Sequence, residues 1–268
     1  MDKLITKYYN EVDPGNWQAC GNALPGSNNC VDCFHKQYFD GNNISYDCEQ
    51  KRKIYVLSYL PVHHKEVYLA LSKVPKKVTT TIAGKKSIRI LSIGSGPGSD
   101  ILAFKKIILD GQIFLGDAKD ILISMVEKVP SWDVISEEVL QLYNCNGLNY
   151  SYNRYHFDFG AKEMEKNFDF DYLLLSYVIS EFKGNEIHTF TNNLQRCIGN
   201  PSVLIINDRN QESVIDKINQ IVNEFKVNQI IKSCSEEWCG VAYPQNIKDK
   251  IKPKLTTKSI RYTVVVSL

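Results

Sequence analysis

Residues 88 to 100 read Ile-Arg-Ile-Leu-Ser-Ile-Gly-Ser-Gly-Pro-Gly-Ser-Asp, an apolar run that gives way to three alternating glycines and then an aspartate. This pattern predicts a strand, a tight loop and a helix start. Gly94, Gly96 and Gly98 let the backbone turn sharply and let a ligand approach where a Cβ would collide. Ser99 or Asp100 is placed to cap a helix beginning near Ile101, since Leu102, Phe104, Ile107 and Ile108 keep helical spacing. The helix N-terminus adds amide donors and a positive dipole end. A unit of this kind belongs to an α/β protein with an open parallel sheet, whose ligands bind beyond the carboxyl ends of the strands.

Two cofactor classes compete for the loop. Dinucleotide enzymes use G-x-G-x-x-G, in which the third glycine allows close helix-strand packing, and here Ser99 holds that position. Pro97 removes one amide donor from a loop that pyrophosphate would need. Both features disfavour a nicotinamide cofactor and suit one without phosphates. The G-x-G-x-G strand end resembles the first motif of the class I S-adenosylmethionine-dependent methyltransferases, over Ser87 to Leu268. The resemblance implies a Rossmann-like, doubly wound, mostly parallel seven-stranded sheet and S-adenosylmethionine on Gly94, Ser95, Gly96 and Gly98. That family has an acidic residue two before the first glycine, where this chain has Ser92; Asp100 is the nearby candidate to compensate.

The cofactor reading requires a carboxylate at the end of the second strand, to accept both ribose hydroxyls. Asp117 ends residues 112 to 116 at the more usual distance, whereas Glu127 ends the longer apolar run 121 to 126 and is favoured. A helix over 133 to 143, with Ser136 among its candidate caps, keeps the strand-helix alternation. A third strand over 148 to 159 ends His-Phe-Asp-Phe. There the resemblance implies that Asp158 meets the adenine amino group and Phe159 packs on the ring. Residues 168 to 182 predict a buried fourth strand that brings Ser176 and Tyr177 to the crevice. Its Ser-Tyr-Val-Ile-Ser-Glu end is similar to methyltransferase-like proteins that act with the mitochondrial ribosome.

Methyl transfer gains mainly from alignment and desolvation, so no single catalytic residue is demanded. Tyr177 and Glu181 are the candidates to orient or deprotonate a nucleophile, and the wall of a pocket and a helix-start acid are their plainer readings. The chain lacks the Asn-Pro-Pro-aromatic or Asp-Pro-Pro-aromatic tetrapeptide of base-directed amino methyltransferases. The acceptor, small molecule or macromolecule, is an unidentified N, O or S nucleophile. The rival reading is a non-catalytic module of the same fold that binds RNA or a protein partner. A helix over 186 to 197, a strand over 202 to 206, a helix over 212 to 225 and two closing strands complete the pattern, with the last strand antiparallel.

With 268 residues and 43% of them hydrophobic, the chain can bury a full core plus an appendage. A formal charge of +2 does not demand a nucleic-acid partner, though it leaves one open. The first residues carry no long apolar stretch, so neither a secretory signal nor a membrane span is expected, and the expected address is cytoplasmic or nuclear. Eight cysteines then read as thiols or metal ligands.

Residues 1 to 80 are expected to form a cap and 81 to 268 the cofactor domain. The cap is loop-rich up to about residue 50. Cys30-x-x-Cys33 has the knuckle spacing that lets two thiolates reach one tetrahedral ion, with Cys20 and Cys48, or His35, completing a structural zinc site. Reduced thiols in a packed cap are the alternative. Two helices broken at Pro61 are predicted over 47 to 73. The His63-His64 pair is read as a surface doublet, because adjacent histidines point different ways on a helix. Tyr55, Tyr59 and Tyr68 are read as packing, and residues 74 to 86 as a basic, solvated linker.

Overall fold

The computed structural model describes residues 1–12, 23–39, 46–182 and 186–266. Seven strands form one sheet: β1 (Ser87–Ile93), β2 (Asp120–Val126), β3 (Asn149–Tyr155), β4 (Phe170–Ser176), β5 (Ile198–Arg209), β6 (Val227–Ser233) and β7 (Ser259–Val266). Their order is β3-β2-β1-β4-β5-β7-β6, and β7 runs antiparallel to both of its neighbours. β4 is apolar along nearly its whole length because both faces are covered, whereas β3 alternates at the open edge. The chain reverses direction of winding between β1 and β4. That switch point opens a crevice at the carboxyl ends of the strands.

The helices are α1 (Asp2–Glu11), α2 (Cys30–Phe39), α3 (Glu49–Leu71), α4 (Lys76–Ala83), α5 (Ser99–Leu109), α6 (Asp133–Leu140), α7 (Glu186–Cys197), α8 (Glu212–Asn223) and α9 (Gln245–Ile251). Phe190 of α7 and Ile218 of α8 pack on the sheet face built from Leu173, Leu204 and Val264. Val67 and Ala70 of α3, Ile82 of α4 and Phe104 of α5 cover the other face, on Ile90, Tyr172 and Ile205. The first half of α3 leaves the sheet and packs with α1, α2, α6 and α9 around Ile54, Leu57 and Trp132. One helix thus joins the core of the sheet to the cap.

That helix corrects the expected break at Pro61: α3 is one helix of 23 residues, with Pro61 buried inside it. Proline cannot donate to the carbonyl of Leu57 four residues back. The Tyr243 hydroxyl donates to that carbonyl at 2.7 Å, and the Lys254 amide donates to the neighbouring Ser58 carbonyl at 3.0 Å. Tertiary donors replace what the helix lacks.

Other expectations shift with packing. The basic linker contains α4, whose Thr79, Ile82 and Ala83 are buried. Residues 112 to 116 form no strand, and Asp117 lies in a turn before β2. Helix α5 begins at Ser99 behind Gly98, which is left-handed, so neither Ser99 nor Asp100 acts as its side-chain cap. Ser136 lies inside α6, donating to the Asp133 carbonyl at 2.9 Å.

The cysteines do not assemble as a knuckle. Cys30 and Cys33 lie on α2, buried in the cap core, and the Leu24 amide donates to Cys33 Sγ at 3.5 Å. Cys48 precedes α3, and Cys20 lies outside the described residues. Among the described residues no three His, Cys, Asp or Glu side chains are grouped to hold a metal ion, so a zinc site is not supported. Buried thiols of this kind act as small apolar side chains. Among the same residues no helix is long and apolar enough to cross a membrane.

The substitution Tyr243→Phe should lower stability by about 1–2 kcal/mol, because it leaves the buried Leu57 carbonyl without a donor. Urea unfolding of a double-mutant cycle with Pro61→Ala checks the cause. Alanine at 61 restores the helix's own donor, so the loss should shrink in that background.

Candidate functional site

The loop after β1 is fixed by its glycines. The amides of Gly94 and Ser95 both donate to the Val126 carbonyl at the end of β2, at 2.8 and 3.1 Å. Gly94 has φ +63°, and a Cβ there would come within 2.6 Å of the Val178 side chain just beyond β4. Gly96 has φ +45° and opens onto free space, its nearest would-be neighbour being the Gly94 carbonyl oxygen at 3.9 Å. One glycine is required by the protein's own packing, and the other leaves room for a ligand.

Glu127 stands where β2 ends. Its carboxylate accepts the Gly96 amide at 2.9 Å and the Val129 amide at 3.0 Å. Burial raises its pKa, and these two amides pull against that rise. Two amide bonds leave lone pairs on both oxygens for further donors. Glu127, and not Asp117, therefore shares a site with the glycine loop.

Asp100, in the first turn of α5, is fully enclosed. It accepts Ser92 Oγ and Ser99 Oγ, each at 3.3 Å. Ser92 occupies the strand position where the resembled family carries an acid, and Asp100 brings a carboxyl to it from the helix. Burial pushes the Asp100 pKa up to about 7, with the two hydroxyls opposing.

The third strand ends short of Asp158. That side chain is exposed and accepts the Gly160 amide at 3.0 Å. Phe159 is turned into the core, edge-on to Phe190 at 5.3 Å, and the exposed rings at this strand end include Tyr155 and Phe157. The expected stacking partner is thus occupied in packing.

The end of β4 is built differently. Ile93 pairs with Leu175, so Ser176 and Tyr177 lie beside the glycine loop. Tyr177 has φ +58°, a conformation that costs a non-glycine residue of order 1–3 kcal/mol and clusters at functional sites. Its amide donates to the Asn207 carbonyl at 2.7 Å, its hydroxyl donates to Glu66 Oε2 at 3.0 Å, and Lys254 Nζ donates to that hydroxyl at 2.9 Å. Asn207 donates to Ser176 Oγ at 2.8 Å. Glu181, the other candidate, is mostly exposed and accepts Arg209 at 3.3 Å. The two candidates do not converge.

Sequence reasoning missed α3 as a wall of this site. His63 and His64 are both buried, against the surface reading, because α3 is enclosed by neighbours on both flanks. The His63 ring lies between Tyr59 and Tyr177, at 5.5 and 4.1 Å, nearly parallel to both. Its Nδ1 is 3.2 Å from the Tyr55 hydroxyl. Burial pushes the His63 pKa down to about 3, with Glu66 opposing and Lys254 adding to the fall. The available signal was the stripe Tyr55, Tyr59, His63, with Glu66 one turn further, which places polar and aromatic side chains on one helix face.

Asp100 gives the folded protein a pH dependence. Between about pH 4 and 7 the unfolded chain has released this proton while the folded chain holds it, so stability falls as pH rises, and above 7 the penalty is complete. Relative to the parent, Asp100→Asn should gain thermal stability by several degrees at pH 8 and little at pH 4. Melting temperatures of both proteins across that range provide the check.

No protein-family model matches the chain, and no curated protein matches it. Among solved structures the chain is similar to the plantazolicin methyltransferase BpumL, in complex with a monoazolic desmethylPZN analog and SAH. The two share 13% identity at a TM-score of 0.50 over 89% of this chain and 95% of that one. It is also similar to a putative methyltransferase from Bacillus halodurans, at 11% identity and TM-score 0.45 over 72% of this chain and 98% of that one. A SAM-dependent O-methyltransferase from Thermotoga maritima is similar at 14% identity and TM-score 0.43, over 73% and 67% of the two chains. At 13% identity it is the fold that BpumL and this chain share. The chain has the Rossmann-like α/β fold of the class I S-adenosylmethionine-dependent methyltransferases.

Proposed function

We propose that this chain transfers a methyl group from S-adenosylmethionine to an N, O or S nucleophile. The carrying observation is the open backbone at Gly96, joined by its amide to the Glu127 carboxylate at 2.9 Å. The residues fit the cofactor: Gly94, Ser95, Gly96 and Gly98 form a cradle without side-chain bulk on the crevice side, and Glu127 holds acceptor capacity for two ribose hydroxyls. Asp100 with Ser92 offers a carboxyl to the cofactor's amino group. Asp158 lies at the adenine end, and Ser176 and Tyr177 close the side toward the acceptor.

When bound, the sulfonium supplies an electrophilic methyl group. The chain's part is to align it with the nucleophile and exclude water, which is where catalysis of this kind gains most. The acceptor lies over the ends of β4 and β5, in the space walled by α3.

Calorimetric titration tests the reading. S-adenosylmethionine and S-adenosylhomocysteine should bind in the micromolar range, and NADH should not. Glu127→Ala should weaken S-adenosylhomocysteine about 10- to 100-fold, the loss expected for bonds to a charged acceptor. Gly96→Arg should abolish binding. Absence of binding by both sulfur compounds, or a stronger signal from NADH, would reject the proposal.

A further inference from the structure

His64 follows His63 on α3 but faces another way, as successive residues of a helix must. It lines a cavity of about 410 Å³ that the glycine loop does not share. The start of α1, the middle of α3, the last turn of α5 and the loop 239–241 border this space. Lys106, on its rim, lies seven residues beyond Ser99 along α5, about 10 Å from the end that meets the glycine loop.

His64 is 9% exposed, and its Nε2 is enclosed with no hydrogen-bond partner among the described residues. An unpaired polar atom inside a protein costs stability that a leucine in the same place would not. Tyr68 and Tyr143 flank the imidazole at 6.5 and 5.8 Å, tilted from it by 34° and 41°, so the three rings form a shallow bowl. Lys65 Nζ lies 5.7 Å from the centre of the Tyr68 ring, and Lys106 Nζ lies 5.9 Å from that of Tyr143. Two ammonium groups thus stand at the two sides of the bowl.

The charges favour an anion. Lys65 is paired with Glu237 at 3.4 Å and Lys106 with Asp110, both partly exposed pairs of the kind that hold weakly. Each ammonium has three donors, so both keep some for a ligand. No side chain caps α1, which leaves its first amides and the positive end of its dipole at the edge of the cavity. Asp2 and Asp110 are the negative groups that an anion would meet there. At the floor the positive side prevails. Burial is the main cause that lowers the His64 pKa to about 3, Lys106 and Lys65 add to the fall, and Asp110 opposes it least. A ring so placed stays neutral and keeps one N–H to donate.

We propose that this cavity binds a small flat molecule carrying a carboxylate or phosphate group. The oxyanion lies between Lys65 and Lys106 and takes further donors from the start of α1 and from His64, while the flat body rests on Tyr68 and Tyr143. A cationic ligand is disfavoured, because the lysines already occupy the tyrosine faces that would hold it. The site is separate from the cofactor crevice and stands without the cofactor reading.

The test uses the full chain labelled with 13C and 15N in histidine, titrated with benzoate, phenyl phosphate and inorganic phosphate. Benzamide and benzylamine serve as neutral and cationic controls. Benzoate, phenyl phosphate or both should move the His64 resonance, identified by its loss in His64→Leu, and should move that of His63 less. The tighter of the two names the acid group. Inorganic phosphate, with no ring for the tyrosines, should bind more weakly than phenyl phosphate, and the two controls should leave His64 unmoved. His64→Leu should melt no lower than the parent, since it loses no hydrogen bond, yet bind the better acid about 10-fold more weakly or worse, as should Lys106→Met. Asp110→Asn removes a like charge and frees Lys106, so it should bind more tightly.

Should His64→Leu fail to fold, the two substitutions on α5 carry the same test, and the histidine signal is then assigned with His64→Gln. The proposal falls if neither aromatic acid moves His64, if benzamide or benzylamine binds as tightly as the acids do, or if Lys106→Met keeps the affinity of the parent within about threefold.

Discussion

Glu66 is the carboxylate on which the site depends. It has no exposed surface, and a charge so placed is tolerated only when its oxygens are occupied by donors. Four donors reach it: the Tyr177 hydroxyl at 3.0 Å, Lys254 Nζ at 3.2 Å, the Lys258 amide at 3.1 Å and Asn207 Nδ2 at 3.4 Å. Burial opposes its ionisation, and the surrounding donors with the Lys254 cation more than offset this, so its pKa lies below the usual carboxylate range. The donors come from the turn after β4, from β5 and from the segment before β7. A single side chain of α3 therefore gathers the strand ends that form the crevice, and removing it would leave Lys254 without a countercharge.

The same segment before β7 holds α3 by its backbone. Tyr243 and the Lys254 amide serve the carbonyls that Pro61 disturbs, while the Lys254 side chain and the Lys258 amide serve Glu66. Pro61 lies two residues before His63. A proline in a helix interior usually weakens or bends it by freeing a carbonyl, and here the freed carbonyl is where a distant part of the chain attaches. The position of α3 over the sheet follows from contacts nearly two hundred residues apart in sequence, such as Leu57 with Tyr243.

This division explains which parts were legible in the sequence. The glycine loop, the strand that precedes it and the choice of Glu127 over Asp117 are local: each depends on backbone conformation or on an apolar run of strand length, and sequence spacing reports both. The buried β4 is legible for the same reason. The continuity of α3 is not, because proline's effect depends on a donor supplied from residue 243. The burial of His63 and His64 is hidden by the same dependence, since a helix flanked on both sides has no outer face for either. The thiols of Cys30 and Cys33 show the opposite error, a spacing shared by metal knuckles and by one turn of an ordinary helix. Phe159 shows that a residue type at a strand end does not fix its direction: it turned toward Phe190 and left Phe157 outside.

Ser92 stands on β1 where the resembled family carries an acid, and a carboxyl reaches the same place from the start of α5. Strand and helix start lie side by side across the glycine loop, so a carboxyl on either can occupy the same volume, and Asp100 reaches Ser92 from α5 at 3.3 Å. The two placements differ electrically. On the helix the carboxyl is enclosed, with the hydroxyls of Ser92 and Ser99 as its hydrogen-bond partners among the described residues, and burial raises its pKa to about 7. A cation brought into the crevice would stabilise the ionised form and lower that value, so a proton would leave as the cation arrived.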